Sequence, residues 1–121
     1  MDREELDNIT APFLASDLAV EVRNVYFEHA GTGIGPGAAT AAVFDAFRNL
    51  LDDPNEGPVI FLALAALQLQ SGQLLDPIRD AALALIESGD AARAWRPFDV
   101  TTNLARREAL ANFAALLSSG I

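Results

Sequence analysis

The sequence predicts an all-α protein, a compact bundle of four to five main helices packed around one central apolar helix. Hydrophobic residues make up 51% of the chain, and many of them are alanine, the residue that most favours helix. Apolar side chains recur at the three- and four-residue spacing of a helix rather than with the alternation of a strand. Proline and glycine stand where these helices are expected to begin and end.

A single domain, residues 1–121, is expected from the chain length of 121 residues, because a chain of this size encloses one hydrophobic core. The sequence shows no internal repeat and no linker long enough to separate two domains. The helices predicted below are therefore expected to pack together.

The first helices follow a short polar lead, with one helical turn predicted at 2–8 and a break at Pro12. Ser16 is the expected N-cap of the first substantial helix, because its hydroxyl can accept a hydrogen bond from a backbone N–H group. Its inward face is formed by Leu18, Val22, Val25, Tyr26 and His29. A second, polar stripe consists of Asp17, Glu21, Asn24 and Glu28.

The segment 31–37 contains four glycines in seven residues. This composition favours a loop, because glycine loses much backbone entropy in regular structure. A helix is predicted at 38–51, and the polar segment 52–57 is expected to be a turn. The core face of that helix is formed by Val43, Phe47, Leu50 and Leu51, with Phe44 at its edge.

The central helix is predicted at 58–71, with Pro58 in its first position and Gly72 after its end. It is apolar on nearly every side over 59–67. A helix without a polar face must be surrounded by other elements, so we expect it in the middle of the bundle. Gln68 and Gln70 are expected where this helix reaches water.

Two further helices follow the central one. Asp76 and Pro77 indicate an N-cap and a first helical position, and Gly89 indicates the end of that helix. Residues 90–95 are expected to add one short turn. Thr101 or Thr102 is the expected N-cap of the last helix, whose end at 118–120 is expected to fray. Its inward residues are Leu110, Phe113, Leu116 and Leu117.

Two residue types are absent from the sequence, cysteine and lysine. Without cysteine the chain has no disulfide, no thiolate metal site and no cysteine nucleophile. Without lysine it has no Schiff-base lysine and no P-loop. These classes of chemistry are therefore excluded.

The chain is acidic, with a formal net charge of −9 at pH 7, and its charge is unevenly distributed. Residues 1–57 hold eleven carboxylates against three arginines, whereas residues 58–121 hold six against five. Such a field repels nucleic acids and anionic lipids and attracts basic proteins. We expect a basic protein partner such as a toxin, with no nucleic acid and no membrane.

Cytoplasmic location is predicted from two features of the chain. Its first residues, 1–5, are acidic and lack the basic and apolar segments of a secretory signal peptide. The most apolar run, 59–67, is about half as long as the roughly 20 residues that cross a bilayer.

A glycine motif at 33–38 matches the dinucleotide-binding pattern G-x-G-x-x-A, and Asp52 or Asp53 follows about 20 residues after the motif begins. That fold requires a strand directly before the glycines, whereas helical spacing here continues to His29. The favoured interpretation is a loop between two helices. If this loop has a function, we expect it to form part of a surface that contacts a partner.

Metal and catalytic motifs are incomplete. A calcium loop beginning at Asp52 would place Pro54 at position 3 and Ala63 at position 12, where a glutamate is needed. His29 is the sole histidine, no serine lies in a G-x-S-x-G motif, and one histidine is a poor basis for a zinc site. We expect no catalytic residue, no cofactor and no metal.

Trp95 is the only tryptophan, and it lies beside Arg93 and Arg96. Tryptophan and arginine are enriched at interface hot spots, so Trp95 is included among the candidate partner-binding residues. Packing against the core at the end of a short helix is the alternative interpretation, and the favoured one.

One pattern of residues extends over 13–117. It comprises Ser16-Asp17-Leu18-Ala19, Glu21-Val22-Arg23, Tyr26, Ala39-Thr40, 51–59, 62–65, Gln68, Gly72-Gln73-Leu74, Ala82-Leu83, Ile86-Glu87-Ser88-Gly89 and Trp95. This pattern resembles a family of small bacterial helical proteins of unknown function. Members open with Trp-Gly-x-Gly-x-Phe and an Asn-Asp pair, of which Phe13 and Asp17 are matched here and the Trp-Gly start is missing. The resemblance implies a helical fold without an established activity, and some relatives occur in toxin–immunity or defence settings.

The leading hypothesis is a non-enzymatic protein–protein interaction module, an immunity- or inhibitor-like binder of a basic partner. Its candidate contact residues are Asp17, Glu21, Glu28, Asp52, Asp53, Glu56 and Trp95. One alternative is a small-molecule or metal-binding regulatory module that uses 31–37 and His29. Another is a homo-oligomeric structural protein that associates through Phe27, Phe44 or Trp95.

Overall fold

A computed structural model describes residues 2–29, 35–96 and 102–119, and in these ranges the chain forms seven α-helices and no strand. The helices are α1 Arg3–Thr10, α2 Asp17–His29, α3 Gly35–Ala46, α4 Gly57–Gln70, α5 Asp76–Ser88, α6 Asp90–Ala94 and α7 Asn103–Ser118. Short 3₁₀ segments follow α1 at Ala11–Leu14 and α3 near Arg48–Leu50. The predicted all-α class is confirmed.

Helix α4 lies at the centre of the bundle, as its uniform apolarity predicts. Its residues are buried from Gly57 to Leu69 except for Val59 and Phe61, which are partly buried. Helices α1, α2, α5 and α6 all pack against it. Full burial of each leucine side chain in this helix contributes about 1.5–3 kcal/mol relative to exposure.

The predicted caps of two helices are confirmed. Ser16 Oγ accepts a hydrogen bond from the Ala19 N–H at 3.1 Å, which begins α2. Thr102 Oγ1 accepts from the Ala105 N–H at 3.0 Å, which begins α7. Gly89 ends α5 in the left-handed conformation, with φ of 85°, a geometry that a residue with a Cβ rarely adopts.

Helix α3 differs from its predicted bounds at both ends. Residues 35–37 form its first turn rather than part of a loop, because Pro36 fits a position whose N–H would have no helical partner. The Thr40 hydroxyl adds a hydrogen bond to the Pro36 carbonyl at 2.8 Å. The helix ends at Ala46 instead of Leu51. Residues 31–34 of the predicted loop lie outside the described residues.

The start of α5 is also shifted by one residue. Leu75 occupies the N-cap position with extended backbone, so Asp76 is the first helical residue rather than the cap. Its carboxylate lies within the first turn, where the positive end of the helix dipole favours it. The predicted end of this helix at Gly89 is correct.

Gln68 was expected near water, and that prediction is wrong. The residue is 0% exposed. Its Nε2 donates to Thr40 Oγ1 at 2.8 Å, and its Oε1 accepts from the Leu75 N–H at 3.1 Å. The amide therefore joins α3, α4 and the turn before α5, which satisfies its polar atoms inside the core.

Gln70 likewise makes protein contacts at the end of α4. Its side-chain Nε2 donates to Thr10 Oγ1 at 2.9 Å, and its backbone carbonyl oxygen accepts from Arg3 Nη1 at 2.5 Å. Both partners belong to α1, so this helix lies at the C-terminal end of α4. An arginine at that position also complements the negative end of the helix dipole.

Three stacked aromatic rings connect the periphery of the bundle. The ring centroid of Phe13 lies 4.4 Å from that of Trp95 and 4.1 Å from that of Phe113. The stack links the 3₁₀ segment Ala11–Leu14 to α7 and to the end of α6. All three side chains are buried, so the stack is part of the core.

No helix in the described ranges is both long and apolar enough to cross a membrane. The longest of the apolar helices, α4, has 14 residues, which corresponds to about 21 Å of helix against a hydrocarbon layer of about 30 Å.

Candidate functional site

The turn between α3 and α4 carries three of the predicted carboxylates and is shaped by one of them. Asp53 Oδ1 accepts hydrogen bonds from the N–H groups of Asn55 at 2.8 Å and Glu56 at 3.0 Å. Asp53 is half-buried, whereas Asp52 is exposed. Asp53 therefore has a local structural role, because its side chain satisfies backbone donors at the start of α4.

Gly57 allows this turn to pack tightly on the start of α4. A Cβ atom built on Gly57 would lie 2.3 Å from the carbonyl oxygen of Leu51, closer than real side chains approach. The close approach brings Leu51 and Asp52 beside Pro58. It thereby fixes the position of the exposed carboxylate relative to the groove next to it.

This groove, called the first groove below, lies between the start of α4 and the end of α5 and has a volume of about 580 Å³. Its floor is apolar and consists of Leu51, Pro58, Phe61, Ala81, Ala84 and Leu85. Its polar rim consists of Asp52, Asp53, Ser88 and Asp90. A volume of this size falls within the range of about 300–1,000 Å³ typical of ligand sites.

Small side chains on α5 create the first groove. Ala81 and Ala84 stand one turn apart on the same side of the helix, and their methyl groups leave space above Phe61. The Phe61 ring also packs against Phe44, with ring centroids 5.6 Å apart. Part of the apolar floor is therefore supported by α3.

A second groove of about 440 Å³ lies on the other side of the same turn. It is lined by Ser16, Leu18, Asn55, Glu56, Val59, Arg93, Ala94, Trp95 and Arg96. Helices α2 and α4 therefore begin at the same end of the bundle. Asp17, between Ser16 and Leu18 in the chain, lies at this end as well.

Four of the predicted contact residues are thus brought to one end of the bundle, called the acidic end below. They are Asp17, Asp52, Asp53 and Glu56. Among the residues that the structure describes, Asp17, Asp52 and Glu56 form no ion pair. Their negative charge is therefore available to a partner.

The other predicted acidic residues are spread along α2. Glu21 lies one turn beyond Asp17, and both are exposed. Glu28 is also exposed but lies eleven residues after Asp17, about 16 Å further along the helix axis. The acidic stripe predicted for this helix is present, yet only its first part borders the acidic end.

Trp95 is not available as a surface anchor. Its side chain is 3% exposed and stacks on Phe13, so a partner cannot bury the indole further. Trp95 lines the second groove only with the small exposed part of a side chain that otherwise belongs to the core. The structure supports the core-packing interpretation and contradicts the assignment of Trp95 as a contact residue.

Three charged residues near the acidic end are not among the predicted contact residues, although two of them, Arg93 and Arg96, were noted as neighbours of Trp95. Arg93 forms an ion pair with Asp90, so the negative charge of Asp90 beside the first groove is offset. Arg96 lines the second groove, and its Nε donates to the Arg93 carbonyl at 3.1 Å. The clustering of these residues after Gly89 was visible in the sequence, but their proximity to 52–56 depends on tertiary packing.

His29 and the serine of the first groove are the side chains with the most evident potential for metal binding or catalysis. His29 lies at the end of α2 opposite the acidic end, with its Nδ1 2.9 Å from the Val25 carbonyl oxygen. In the described ranges, no three acidic or histidine side chains are grouped closely enough to hold a metal ion. The hydroxyl of Ser88, at the rim of the first groove, donates a hydrogen bond to the Leu85 carbonyl oxygen.

The aromatic residues considered for self-association differ in exposure. Phe27 is 51% exposed and makes an edge contact with Tyr26. Phe44 is half-buried against Phe61, and Trp95 is buried. Of these three rings, only Phe27 presents a large apolar surface to solvent.

Comparison with known proteins found no matching family model, no matching curated protein and no matching solved structure.

Proposed function

We propose that this protein is a non-enzymatic cytoplasmic binding module whose acidic end docks on a basic protein, in the manner of an immunity protein or inhibitor. One observation carries the proposal: Asp17, Asp52 and Glu56 stand together at one end of the bundle without ion pairs to described residues. Unpaired surface carboxylates repel one another. Their grouping becomes favourable when a cationic surface binds them.

The grooves on either side of the turn support the same proposal. Charged rims around apolar floors are typical of protein interfaces, in which apolar contacts contribute affinity and charges contribute association rate and specificity. The rigid start of α4, fixed by Asp53 and Gly57, holds the exposed carboxylates in place. A preorganised surface loses little conformational entropy on binding.

The proposal is tested by affinity capture from lysate of the source cells at low and high ionic strength, followed by mass spectrometry. A triple variant, Asp17→Asn, Asp52→Asn and Glu56→Gln, removes charge from the acidic end with little change in shape. We expect basic proteins bound at low salt to be lost at high salt and with this variant.

The matched control removes three exposed carboxylates elsewhere: Glu4→Gln, Glu5→Gln and Glu108→Gln. Glu4 and Glu5 lie on α1, at the opposite end of α4, so this variant should retain the partner. The proposal is wrong if no basic protein is captured at low ionic strength. It is also wrong if the control variant loses as much binding as the triple variant.

A further inference from the structure

We infer that the first groove receives a basic amphipathic helix of the partner, with two apolar side chains on its floor and an arginine or lysine at the acidic end. The inference rests on the proposed function and adds which part of the partner is recognised. It is carried by the shape of the groove, by the position of its charges and by the spacing of its small residues.

The shape of the first groove suits a helix. Its walls come from α4 and α5, which are joined by a short turn and run in opposite directions, so the groove follows the helix axes. From Ala81 to Ser88 it extends over seven residues of α5, which corresponds to about 10 Å. A partner helix laid along it presents two turns, with side chains at i, i+3 or i+4, and i+7.

The charges of the first groove are concentrated at one of its ends. Asp52 and Asp53 lie at the start of α4, and the Asp90 carboxylate at the end of α5 is already paired with Arg93. The region around Ala81 and Phe61 contributes apolar floor instead. A complementary helix therefore places its basic residue about one turn beyond its apolar residues.

The apolar floor of the first groove distinguishes this partner from a simple polycation, because only a partner with apolar side chains can bury it. Phe61 is partly buried by Phe44, and Ala84 is exposed within the groove. Apolar surface removed from water contributes about 25 cal/mol for each Å². A peptide with charge alone leaves this surface wet.

The test uses two fluorescent alanine-based peptides of about 16 residues, a length at which isolated helices begin to be stable. The first carries leucine at i and i+4 and arginine at i+7 and i+8. The second has the same composition, with the leucines moved to the opposite face. We expect the first peptide to bind the full protein roughly tenfold more tightly, the scale of an interface anchor.

Substitution of Ala84→Leu fills the first groove without changing charge, and leucine is nearly as favourable as alanine in a helix. The matched control is Ala111→Leu, at an exposed position of α7 away from the groove. We expect Ala84→Leu to abolish the difference between the peptides and Ala111→Leu to preserve it. Circular dichroism confirms that both variants are folded.

The outcomes separate this inference from the proposed function. If both peptides bind equally, or if Ala84→Leu preserves the difference, the first groove is not the docking site and the inference is overturned. The proposed function is then tested separately, by the binding of basic proteins to the triple variant of the acidic end. If that variant binds the peptides and the captured basic proteins as tightly as the native protein does, both are overturned.

Discussion

The side chain of Tyr26 is a buried titratable group that bears on the stability of this protein at alkaline pH. It is 1% exposed, and its hydroxyl forms no hydrogen bond with the part of the chain that the structure describes. Burial raises the pKa of the Tyr26 phenol above its ordinary value of 10.0, and the neighbouring Gln68 amide offsets part of that effect. The neutral form is therefore favoured in the folded protein.

We expect the free energy of unfolding to fall as the pH rises above 10. Because the pKa is higher in the folded than in the unfolded state, the stabilisation is complete below pH 10 and is lost as the pH rises through the folded value. The loss is up to about 1.4 kcal/mol for each pH unit in that window. Urea denaturation between pH 8 and pH 11 measures it.

The matched control for this prediction is Tyr26→Phe. In this variant the free energy of unfolding should no longer fall as the pH rises above 10. The sequence has one tyrosine, no lysine and no cysteine, so no other side chain has an ordinary pKa between those of histidine and arginine. An equally steep loss of stability in the phenylalanine variant would contradict the assignment to Tyr26.

At the scale of single residues, what was predictable depended on distance along the chain. The caps Ser16 and Thr102 bond to N–H groups three residues away, so local sequence was sufficient. Gln68 bonds to Thr40, 28 residues earlier. A polar residue at the end of an apolar helix is expected to be exposed to water unless a hydrogen-bond partner distant in the chain is known. The prediction for Gln68 was therefore wrong.

At the scale of elements, the junction of the 52–57 turn with α4 depends on Gly57. We expect Gly57→Ala to destabilise the protein by about 1–3 kcal/mol, because the added methyl group would collide with the Leu51 carbonyl oxygen. The midpoint of urea unfolding, followed by circular dichroism, measures the effect.

The control for Gly57 is Gly37→Ala in the first turn of α3. A Cβ atom there meets none of the residues that the structure describes within 4 Å, so the change should stabilise the protein by about 0.5–1 kcal/mol through reduced backbone entropy. Equal effects of the two substitutions would show that packing against Leu51 does not constrain the turn.

The aromatic stack is the second junction between elements. We expect Phe13→Ala to cost about 3–5 kcal/mol, because it removes a buried ring between Trp95 and Phe113 and leaves a cavity. Phe13→Leu keeps most of the volume and should cost less, so it serves if the alanine variant fails to fold. Thermal unfolding followed by circular dichroism gives both values, and equal losses would argue against a stacking role.

The elements themselves were largely predictable, because proline, glycine and capping residues mark their ends. Five segments, including the short helix α6, begin and end within about one residue of where these residues indicate, and α1 is longer than the single turn predicted at 2–8. Helix α3 differs most from its prediction. Its glycines at 35 and 37 argued for a loop, whereas Pro36 supports a helical start.

At the scale of the whole molecule, the acidity of residues 1–57 does not form one surface. The carboxylates of α1 lie near the C-terminal end of α4, whereas Asp17, Asp52 and Glu56 lie near its start. The sequence indicated the excess of charge but not this separation, because position in the chain does not give position in the fold. The first groove was equally hidden, since it depends on how α5 packs against α4.

The net charge of −9 predicts that salt stabilises the protein. Screening of the repulsion between carboxylates favours the compact state, and the exposed ion pairs such as Arg3–Asp7 that salt weakens contribute little. Between 0.05 and 0.5 M NaCl we expect the thermal midpoint to rise by about 4 °C, corresponding to roughly 1 kcal/mol. Potassium chloride should give the same rise, and a fall in either salt would contradict the explanation.

The turn between α4 and α5 has a consequence for protein engineering. Short surface turns between helices are the usual places to insert a tag or to open a circular permutant. Here the N–H group of Leu75 is bound by the buried Gln68, so an added residue would leave the amide oxygen without its partner inside the core. An insertion at this turn should therefore be tolerated as poorly as a polar substitution in the centre of the bundle.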